Sequence, residues 1–252
     1  MTKRAWDGPT YDRIGTPQAA WGRDVLDRYP LGGNETVLDA GCGSGRVTEL
    51  LLDRLPHGRV LAIDGSSSMI DAARERLGTR PNVAFAVQDL LDLDLDGGTV
   101  DGILSTATFH WVLDHPRLFQ RLRGVLRDGG RLVAQCGGQG NIARVLAAVD
   151  EVVVEPAYAP AFAGWQYPCR FAAAAETEQL LLAAGFSEAR CWLTPAPVNP
   201  PEPATFLGSV ILGANLERLP AEQHDAFVGA VLARLPEPFE ADYVRLNIDA
   251  VA

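Results

Sequence analysis

The segment from Val37 to Gly45 constrains the fold more than any other part of the chain, because a short apolar run leads directly into three alternating glycines. The residues that follow, from Arg46 to Leu55, carry apolar side chains at helical spacing. A strand that turns through glycines into a helix is typical of parallel sheets that bind nucleotides beyond the carboxyl ends of their strands. We therefore interpret this segment as a nucleotide-binding turn.

The spacing of the glycines narrows the choice of nucleotide. A dinucleotide fingerprint places glycines at G-x-G-x-x-G, so that a pyrophosphate can lie on the helix N-terminus. In Gly41, Gly43 and Gly45 the third glycine comes one residue early, and Asp39 adds a negative charge just before the turn. The pattern therefore favours a ligand with a zwitterionic amino acid at this turn, and S-adenosylmethionine fits that description.

Strands and helices alternate beyond the turn. Apolar runs predict a strand, and apolar positions at helical spacing predict a helix between successive strands. Such alternation implies parallel pairing through right-handed crossovers, and hence an α/β fold with a doubly wound, seven-stranded, mostly parallel sheet. The predicted strands are residues 36–39, 60–64, 82–87, 100–106, 131–136, 189–193 and 243–251.

We expect one domain over residues 1–252 and a small helical and aromatic cap on the sheet. The cap is predicted because Pro156 to Phe171 holds five aromatic residues among prolines and a glycine. Such a segment can face a small-molecule pocket, or it can merely pin a long connection onto the core. The predicted parts are an N-terminal lid helix at 1–31, a cofactor-binding core at 32–136, the cap insertion at 138–175 and the C-terminal part of the sheet with helices at 176–252. The alternative for the first part is a helix that merely packs on the edge of the sheet.

Composition argues against several classes of partner. The chain has 32 acidic and 22 basic residues, and this net negative charge disfavours binding to nucleic acid. The first residues lack the apolar run of a signal peptide, and no stretch is apolar enough to span a membrane, so we expect a soluble cytoplasmic protein. The four cysteines form no C-x-x-C pair, and we expect no metal site.

Residues Val37 to Thr48 resemble the first motif of the class I S-adenosylmethionine-dependent methyltransferases, and residues 32–136 follow the order of motifs in that family. The resemblance implies a Rossmann-like methyltransferase fold. It also implies S-adenosyl-L-methionine as the cofactor and S-adenosyl-L-homocysteine as the product. It describes the cofactor half of the chain and leaves the methyl acceptor open.

The expected cofactor contacts follow the ends of successive strands. A carboxylate at Asp64 can accept both ribose hydroxyls, which is the role of an acid at this position in the family, although a strand-end aspartate can also be a turn residue or helix cap. Asp89 is expected at the adenine, and Met69 at the ligand or in the core. The predicted cofactor-binding residues are Asp39, Gly41, Cys42, Gly43, Gly45, Asp64, Gly65, Met69, Gln88, Asp89, Leu90, Ser105 and Thr106.

His110 is the candidate catalytic residue, because it follows the fourth strand where cofactor and acceptor should meet. It can take a proton from the acceptor, orient an acceptor oxygen or be structural. Trp111 can wall the pocket or pack beneath the next helix, and His57, His115 and His224 are interpreted as surface residues. The predicted substrate-binding residues are Tyr11, Gln18, Trp21, Phe109, His110, Trp111 and Trp165.

The Phe109-His110-Trp111 run, together with Val125 to Gly130, is most similar to methyltransferases of the trans-aconitate and juvenile-hormone-acid type. The resemblance favours O-methylation of a small carboxylic acid. The aromatic cap favours instead a hydrophobic acceptor, and the alternative is C-methylation of a terpenoid, aromatic or polyketide-like metabolite. A non-catalytic sensor or partner subunit that binds the cofactor also stays open. We expect a small-molecule acceptor and a monomer or homodimer.

Overall fold

The computed structural model describes residues 16–252, with side chains from residue 20 onward. Its seven strands are β1 Thr36–Ala40, β2 Arg59–Asp64, β3 Val83–Val87, β4 Val100–Thr106, β5 Leu126–Gly137, β6 Glu188–Pro195 and β7 Val244–Val251. They form one sheet in the order β3-β2-β1-β4-β5-β7-β6. Strands β1 to β5 are parallel, and β7 runs antiparallel to both β5 and β6. The predicted doubly wound, mostly parallel sheet is therefore confirmed.

The helices lie between and after these strands. They are α1 Thr16–Asp27, α2 Arg46–Asp53, α3 Ser67–Leu77, α4 His115–Val125, α5 Ala143–Val153, α6 Ala159–Phe162, α7 Ala174–Ala183, α8 Pro203–Phe206, α9 Gly213–Leu216 and α10 His224–Leu232. A π-helical turn, Leu207–Ile211, joins α8 to α9, and Phe109–Trp111 forms a 3₁₀ turn directly after β4. The crossovers return each parallel strand to the same edge, so the carboxyl ends of β1 to β5 lie together.

Apolar side chains cover both faces of the sheet. On one face α1, α2 and α3 pack against the strands, and Leu51, Ile70 and Val37 belong to the same buried cluster. On the other face α4 and α7 pack against neighbouring strand positions, and Phe119 and Leu38 belong to one cluster there. Because consecutive strand residues point to opposite faces and both faces are covered, the strands have continuous apolar runs.

A third apolar cluster is built mainly from α5, α8, α10 and the segment around α6. Tyr158 and Phe162 are buried in it, and the ring of Phe162 stacks on Phe227 at 5.7 Å between centroids. Trp165 and Phe171 are only partly buried at its border. The aromatic segment therefore has a buried part, Tyr158 and Phe162, and a partly buried part, Trp165 and Phe171, that packs against the same cluster. The four-part division of the chain stays a prediction.

Helix α1 is fixed to the sheet at its C-terminal end. Arg28 donates to the side chain of Asn247 at 3.0 Å and to the carbonyl oxygen of Ala134 at 2.9 Å, and it forms an ion pair with Asp249 at 3.2 Å. Trp21, two turns earlier, reaches toward the carboxyl end of β5, where the site lies. Two predicted acceptor contacts, Tyr11 and the side chain of Gln18, lie outside the described part of the structure.

No helix within residues 16–252 is long and apolar enough to cross a membrane. The same part of the chain contains no group of three His, Cys, Asp or Glu side chains placed to hold a metal ion. The four cysteines are free thiols, and burial raises the pKa of the Cys42 thiol inside the glycine turn. A thiol held in its protonated form is a poor nucleophile, so Cys42 fills space beneath the turn.

Candidate active site

The three glycines of the turn serve different purposes, although each has a positive φ. A Cβ on Gly41 would lie 2.2 Å from the hydroxyl oxygen of Thr108, and one on Gly45 would lie 3.0 Å from Leu77. A Cβ on Gly43 would meet no atom within 4 Å. Gly41 and Gly45 are therefore needed for packing within the protein, whereas Gly43 leaves an open space in which a ligand can approach the backbone.

Asp39 is the second-to-last residue of β1, just before this turn, and is 1% exposed. Its Oδ2 accepts a hydrogen bond from the Thr48 hydroxyl at 2.7 Å, while its buried Oδ1 has no partner among the described residues. Burial, together with the charge of nearby Asp64, raises the pKa of Asp39 to about 7. A buried carboxylate with an unsatisfied oxygen gains strongly from a cationic ligand, such as the amino group of an amino acid.

Asp64 ends β2 and links this strand to the glycine turn. Its two oxygens accept from the backbone N–H groups of Gly43 at 3.0 Å and Ser66 at 2.8 Å. Each carboxylate oxygen has a further lone pair, so two neighbouring acceptors are fixed by the backbone. Two neighbouring acceptors suit the two hydroxyl groups of a ribose. Burial raises the pKa of the Asp64 carboxyl, because the charged form is poorly solvated there.

The predicted adenine contacts lie after β3. The backbone N–H of Gln88 donates to the carbonyl oxygen of Asp64 at 3.1 Å, which holds the two strand ends side by side. Asp89 is exposed, and its Oδ1 caps a short 3₁₀ turn by accepting from Leu91 at 3.0 Å. Met69, between β2 and β3, and Leu90, between β3 and β4, are both buried. The order of these residues fits an adenine pocket, and their contacts with adenine stay predictions, as does that of Gly65.

The end of β4 is tied to the glycine turn. The Ser105 hydroxyl donates to the carbonyl oxygen of Ala40 at 2.7 Å, so it links β4 to β1. Thr106, also predicted at the methionine portion, lies at the strand end with its carbonyl oxygen 3.0 Å from the Thr108 hydroxyl. Ala107 between them has φ of 54°, a left-handed conformation that is strained for a residue with a Cβ. This turn sets the position of the three residues that follow it, Phe109, His110 and Trp111.

His110 lies at the end of this turn and is held in one tautomer. The backbone N–H of Gly137 donates to Nδ1 of His110 at 3.3 Å, so the proton of the neutral ring lies on Nε2. Burial, with smaller effects from Arg245 and His115, lowers the pKa of His110 to about 3. The ring of Phe171 stacks on it at 5.9 Å. His110 is therefore a neutral hydrogen-bond donor and a weak base.

The prediction that His115 lies on the surface was wrong, since it is 1% exposed. Its Nε2 lies 3.1 Å from the carbonyl oxygen of Phe109 and donates to it, which supports the turn that carries His110. The backbone of Arg170 donates to the carbonyl oxygen of His110 at 2.8 Å. Asp114, the residue before His115, caps α4 by accepting from the backbone N–H of Arg117 at 3.0 Å. His57 is exposed, and His224 is partly exposed.

Of the predicted acceptor residues, Phe109 lies in the core, whereas Trp111 and Trp165 lie among the aromatic rings around and beyond His110. Phe109 is buried in the core against Phe119, at 6.2 Å between ring centroids. The ring centroids of Trp111 and His110 lie 5.2 Å apart. Trp165 belongs to a series of rings that leads from the cap to His110. The neighbouring pairs in this series are Phe162 with Trp165 at 5.4 Å, Trp165 with Tyr167 at 6.0 Å, Tyr167 with Phe171 at 6.4 Å and Phe171 with His110 at 5.9 Å.

Arg245 on β7 was not among the predicted site residues, and it is only 4% exposed. Its guanidinium carbon lies 4.5 Å from the centre of the Trp21 ring, and its Nε donates to Oε1 of Gln135 at 3.4 Å. Gln135 in turn donates to Asn247 at 2.9 Å. The signal was the polar alternation of Arg245, Asn247 and Asp249 in an otherwise apolar strand, which places all three on one face.

Comparisons with known proteins agree with this geometry. A family model described as a methyltransferase domain matches residues 37–130. The trans-aconitate 2-methyltransferase of Methylobacterium nodulans is 33% identical over 192 residues, which cover 76% of this chain and 68% of that protein. The trans-aconitate 2-methyltransferase of an Azoarcus species is 37% identical over 130 residues, which cover 52% of this chain and 50% of the relative. The chain thus spans about half the length of several curated relatives that it matches.

Solved structures share the fold. Phosphoethanolamine N-methyltransferase 2 of Haemonchus contortus, in complex with S-adenosyl-L-methionine, superposes with a TM-score of 0.61 at 18% identity, over 92% of this chain and 52% of that one. The YcgJ protein of Bacillus subtilis gives a TM-score of 0.63 at 13% identity, over 94% and 98%. The chain belongs to the class I S-adenosylmethionine-dependent methyltransferases. The open space at Gly43, the unsatisfied oxygen of Asp39 and the carboxylate of Asp64 fit the cofactor of this family.

Proposed function

We propose that the protein methylates a carboxylate of a small organic acid and so forms a methyl ester. The observation that carries this proposal is the state of His110, a neutral ring whose Nδ1 accepts from Gly137 and whose Nε2 carries the proton. Carboxylates are already ionised near neutral pH and need no base before they attack a methyl group. A group that donates a hydrogen bond and orients the acceptor oxygen is sufficient for this chemistry.

The cofactor, when bound, supplies a methyl group on a positively charged sulfur, ready for displacement in line. The chain's own residues hold it in place. Asp39 is suited to its amino group, Asp64 to the ribose hydroxyls, and the left-handed backbone at Gly43 to a close approach. All three lie at the carboxyl ends of β1 and β2, next to the end of β4, so the cofactor and His110 share one edge of the sheet.

Positioning accounts for most of the expected acceleration, because a displacement at carbon gains chiefly from alignment and from the exclusion of water. Two hydrogen bonds fix the Phe109–Trp111 turn. His115 donates to the carbonyl oxygen of Phe109, and the backbone N–H of Arg170 in the cap donates to the carbonyl oxygen of His110. The rings of Trp111 and Phe171 border His110 and keep its surroundings apolar. The acceptor is therefore expected to react in a dry, preformed pocket.

Carbon methylation of a hydrophobic metabolite is the second candidate, and the series of aromatic rings between Phe162 and His110 favours it. A carbon acid, however, must lose a proton, and His110 with a pKa of about 3 is too weak a base to remove it. The names of the relatives, which are trans-aconitate 2-methyltransferases, also support an acid as acceptor.

The test is incubation of the protein with S-adenosylmethionine and a panel of acids, phenols, amines and prenyl compounds that includes trans-aconitate, followed by mass spectrometry. We expect one acid to gain a single methyl group that mild alkali removes, as it does from an ester. A methyl group that alkali does not remove would contradict ester formation and favour carbon methylation. Tight binding of the cofactor without transfer to any acceptor would favour a sensor.

A further inference from the structure

Three consecutive cap residues contact the surroundings of His110, and we call Arg170, Phe171 and Ala172 the strap. The backbone N–H of Arg170 donates to the carbonyl oxygen of His110 at 2.8 Å. The ring of Phe171 stacks on the His110 ring at 5.9 Å between centroids. The carbonyl oxygen of Ala172 accepts from the backbone N–H of Gln139 at 2.9 Å. The strap therefore joins the turn after β4 to the loop after β5.

The side chain of Arg170 extends the strap to the residues that follow this turn. Its Nη1 donates to the carbonyl oxygen of Leu113 at 3.2 Å, and its Nη2 forms an ion pair with Glu176 of α7 at 2.5 Å. One residue thus fixes both ends of the four-residue segment 110–113. The side chain of Leu113 is 46% exposed, so hydrogen bonds rather than packing of this side chain hold the end of the segment.

The strap also contacts the residue that donates to the His110 ring. A Cβ on Gly137 would lie 2.7 Å from Cε1 of Phe171, so these two residues are closely packed. The N–H of Gly137 donates to Nδ1 of His110 and thereby places the ring proton on Nε2. His110 is consequently held by its backbone through Arg170 and by its ring through Phe171 and Gly137. A shift of the strap would release the ring from its donor.

The ion pair of Arg170 with Glu176 adds little to stability, because the two side chains are 31% and 48% exposed. The planar guanidinium instead supplies N–H groups at fixed angles, which hold a backbone carbonyl and a carboxylate at the same time. We propose that Arg170 is a positioning residue for methyl transfer, which holds residues 110–113 in place and keeps Nε2–H of His110 directed at the acceptor. This inference rests on the proposed function, because it takes His110 as the group that orients the acceptor oxygen.

The first test is a double-mutant cycle with trans-aconitate as the acceptor. We expect Arg170→Ala to lower kcat by about tenfold, because a small displacement of a positioned group can cost up to about 100-fold in rate. In the His110→Ala background the same substitution should lower kcat by less than about twofold, because the group that it positions is absent. The KM for S-adenosylmethionine should stay unchanged. An equal loss of kcat in the two backgrounds would show that Arg170 does not act through His110.

Arg123→Ala is the matched control, because Arg123 also holds a backbone carbonyl and a carboxylate. It donates to the carbonyl oxygen of Gly185 at 2.9 Å and pairs with Asp128 at 2.9 Å, but it lies at the C-terminal end of α4, away from His110. Both alanine variants should lower the melting temperature by no more than about 4 °C. Arg123→Ala should leave kcat unchanged. Arg170→Lys, which keeps the charge but not the planar fork, should show an intermediate loss of kcat and replaces Arg170→Ala if that variant does not fold.

Nitrogen-15 NMR of the histidine rings tests the inference without an acceptor. In the wild-type protein and in Arg123→Ala, His110 should give the signals of the single Nε2–H tautomer, which are identified by their loss in His110→Gln. In Arg170→Ala we expect a mixture of both tautomers, as in a free neutral imidazole. Unchanged His110 signals in Arg170→Ala would overturn the inference. If the wild-type protein methylates no acid, ester formation fails, and the NMR result alone decides the role of Arg170.

Discussion

The cofactor side and the acceptor side of this site are built in different ways. The cofactor side consists of acidic strand ends and a glycine turn, in which Asp39 and Asp64 are 25 residues apart and are fixed by nearby hydroxyl and backbone donors. The acceptor side brings together Trp21, His110 and Arg245 from three distant parts of the chain. The cofactor side carries two carboxyl groups, whereas the His110 ring on the acceptor side is neutral.

This difference matches the two reactants that we propose. The cofactor has a cationic amino group and a cationic sulfur, so carboxylates suit it, whereas an acid acceptor needs a cation and a neutral donor. The cofactor side also depends on backbone geometry, which a short motif can encode. The acceptor side depends on side chains that only the sheet order brings together. A mutation on the cofactor side should therefore weaken cofactor binding, and a mutation on the acceptor side should leave cofactor binding unchanged.

The largest expected effect comes from Gly43→Ala, because the new Cβ would occupy the open space left for the cofactor. We expect the affinity for S-adenosylhomocysteine to fall by about 100-fold, at the upper end of the cost of overpacking. Gly129→Ala is the control, since Gly129 also has a positive φ and open surroundings but lies in β5, between the residues Leu126 and Arg131 that pair with β4.

Both alanine variants should lose about 1–2 kcal/mol of unfolding free energy from the left-handed backbone. Thermal melting measures this loss, and calorimetry measures the affinity. Equal affinity in the two variants would show that the space above Gly43 is not used by the cofactor.

A smaller effect is expected on the acceptor side. His110→Ala should lower kcat/KM by about 30-fold through the loss of one hydrogen bond to a charged oxygen. His110→Gln should keep most of the activity, because an amide N–H can replace Nε2–H. Since the pKa of His110 is lowered to about 3, kcat should show no loss of activity centred near pH 6.5 that depends on this ring. A fall in kcat near that pH, absent from His110→Gln, would instead identify His110 as a base.

The smallest predicted effect concerns Asp39, whose pKa of about 7 makes its charge dependent on pH. Binding of a cationic amino group favours the ionised form, so the affinity for S-adenosylhomocysteine should rise about tenfold between pH 6 and pH 8. Asp39→Asn should remove this rise, while the exposed Asp53→Asn should keep it. In the cofactor-free protein the raised pKa has the opposite consequence, and the Asp39 contribution to the unfolding free energy should decrease as the pH rises from about 4 toward 7.

The sequence predicted the sheet well because strand-and-helix alternation is a local signal. The fourth strand was predicted at residues 100–106, and β4 spans the same residues. Asp64 could be placed because strand ends of a parallel sheet meet at one edge. Arg245 could not, because its approach to His110 depends on β7 inserting antiparallel beside β5. The inward position of His115 was also missed, since helical spacing alone does not say which side of a first turn faces the core.

The most direct test of the separation between the two sides is calorimetric titration of S-adenosylhomocysteine into the wild-type protein, Asp64→Ala and Arg245→Gln. Asp64→Ala removes two acceptors from the ribose site, and we predict a loss of affinity of about 100-fold. Arg245→Gln should bind the product with the wild-type affinity, because Arg245 lies on β7, which β5 and β4 separate from β1 and β2. An equal loss of affinity in both variants, or a larger loss in Arg245→Gln, would contradict the account.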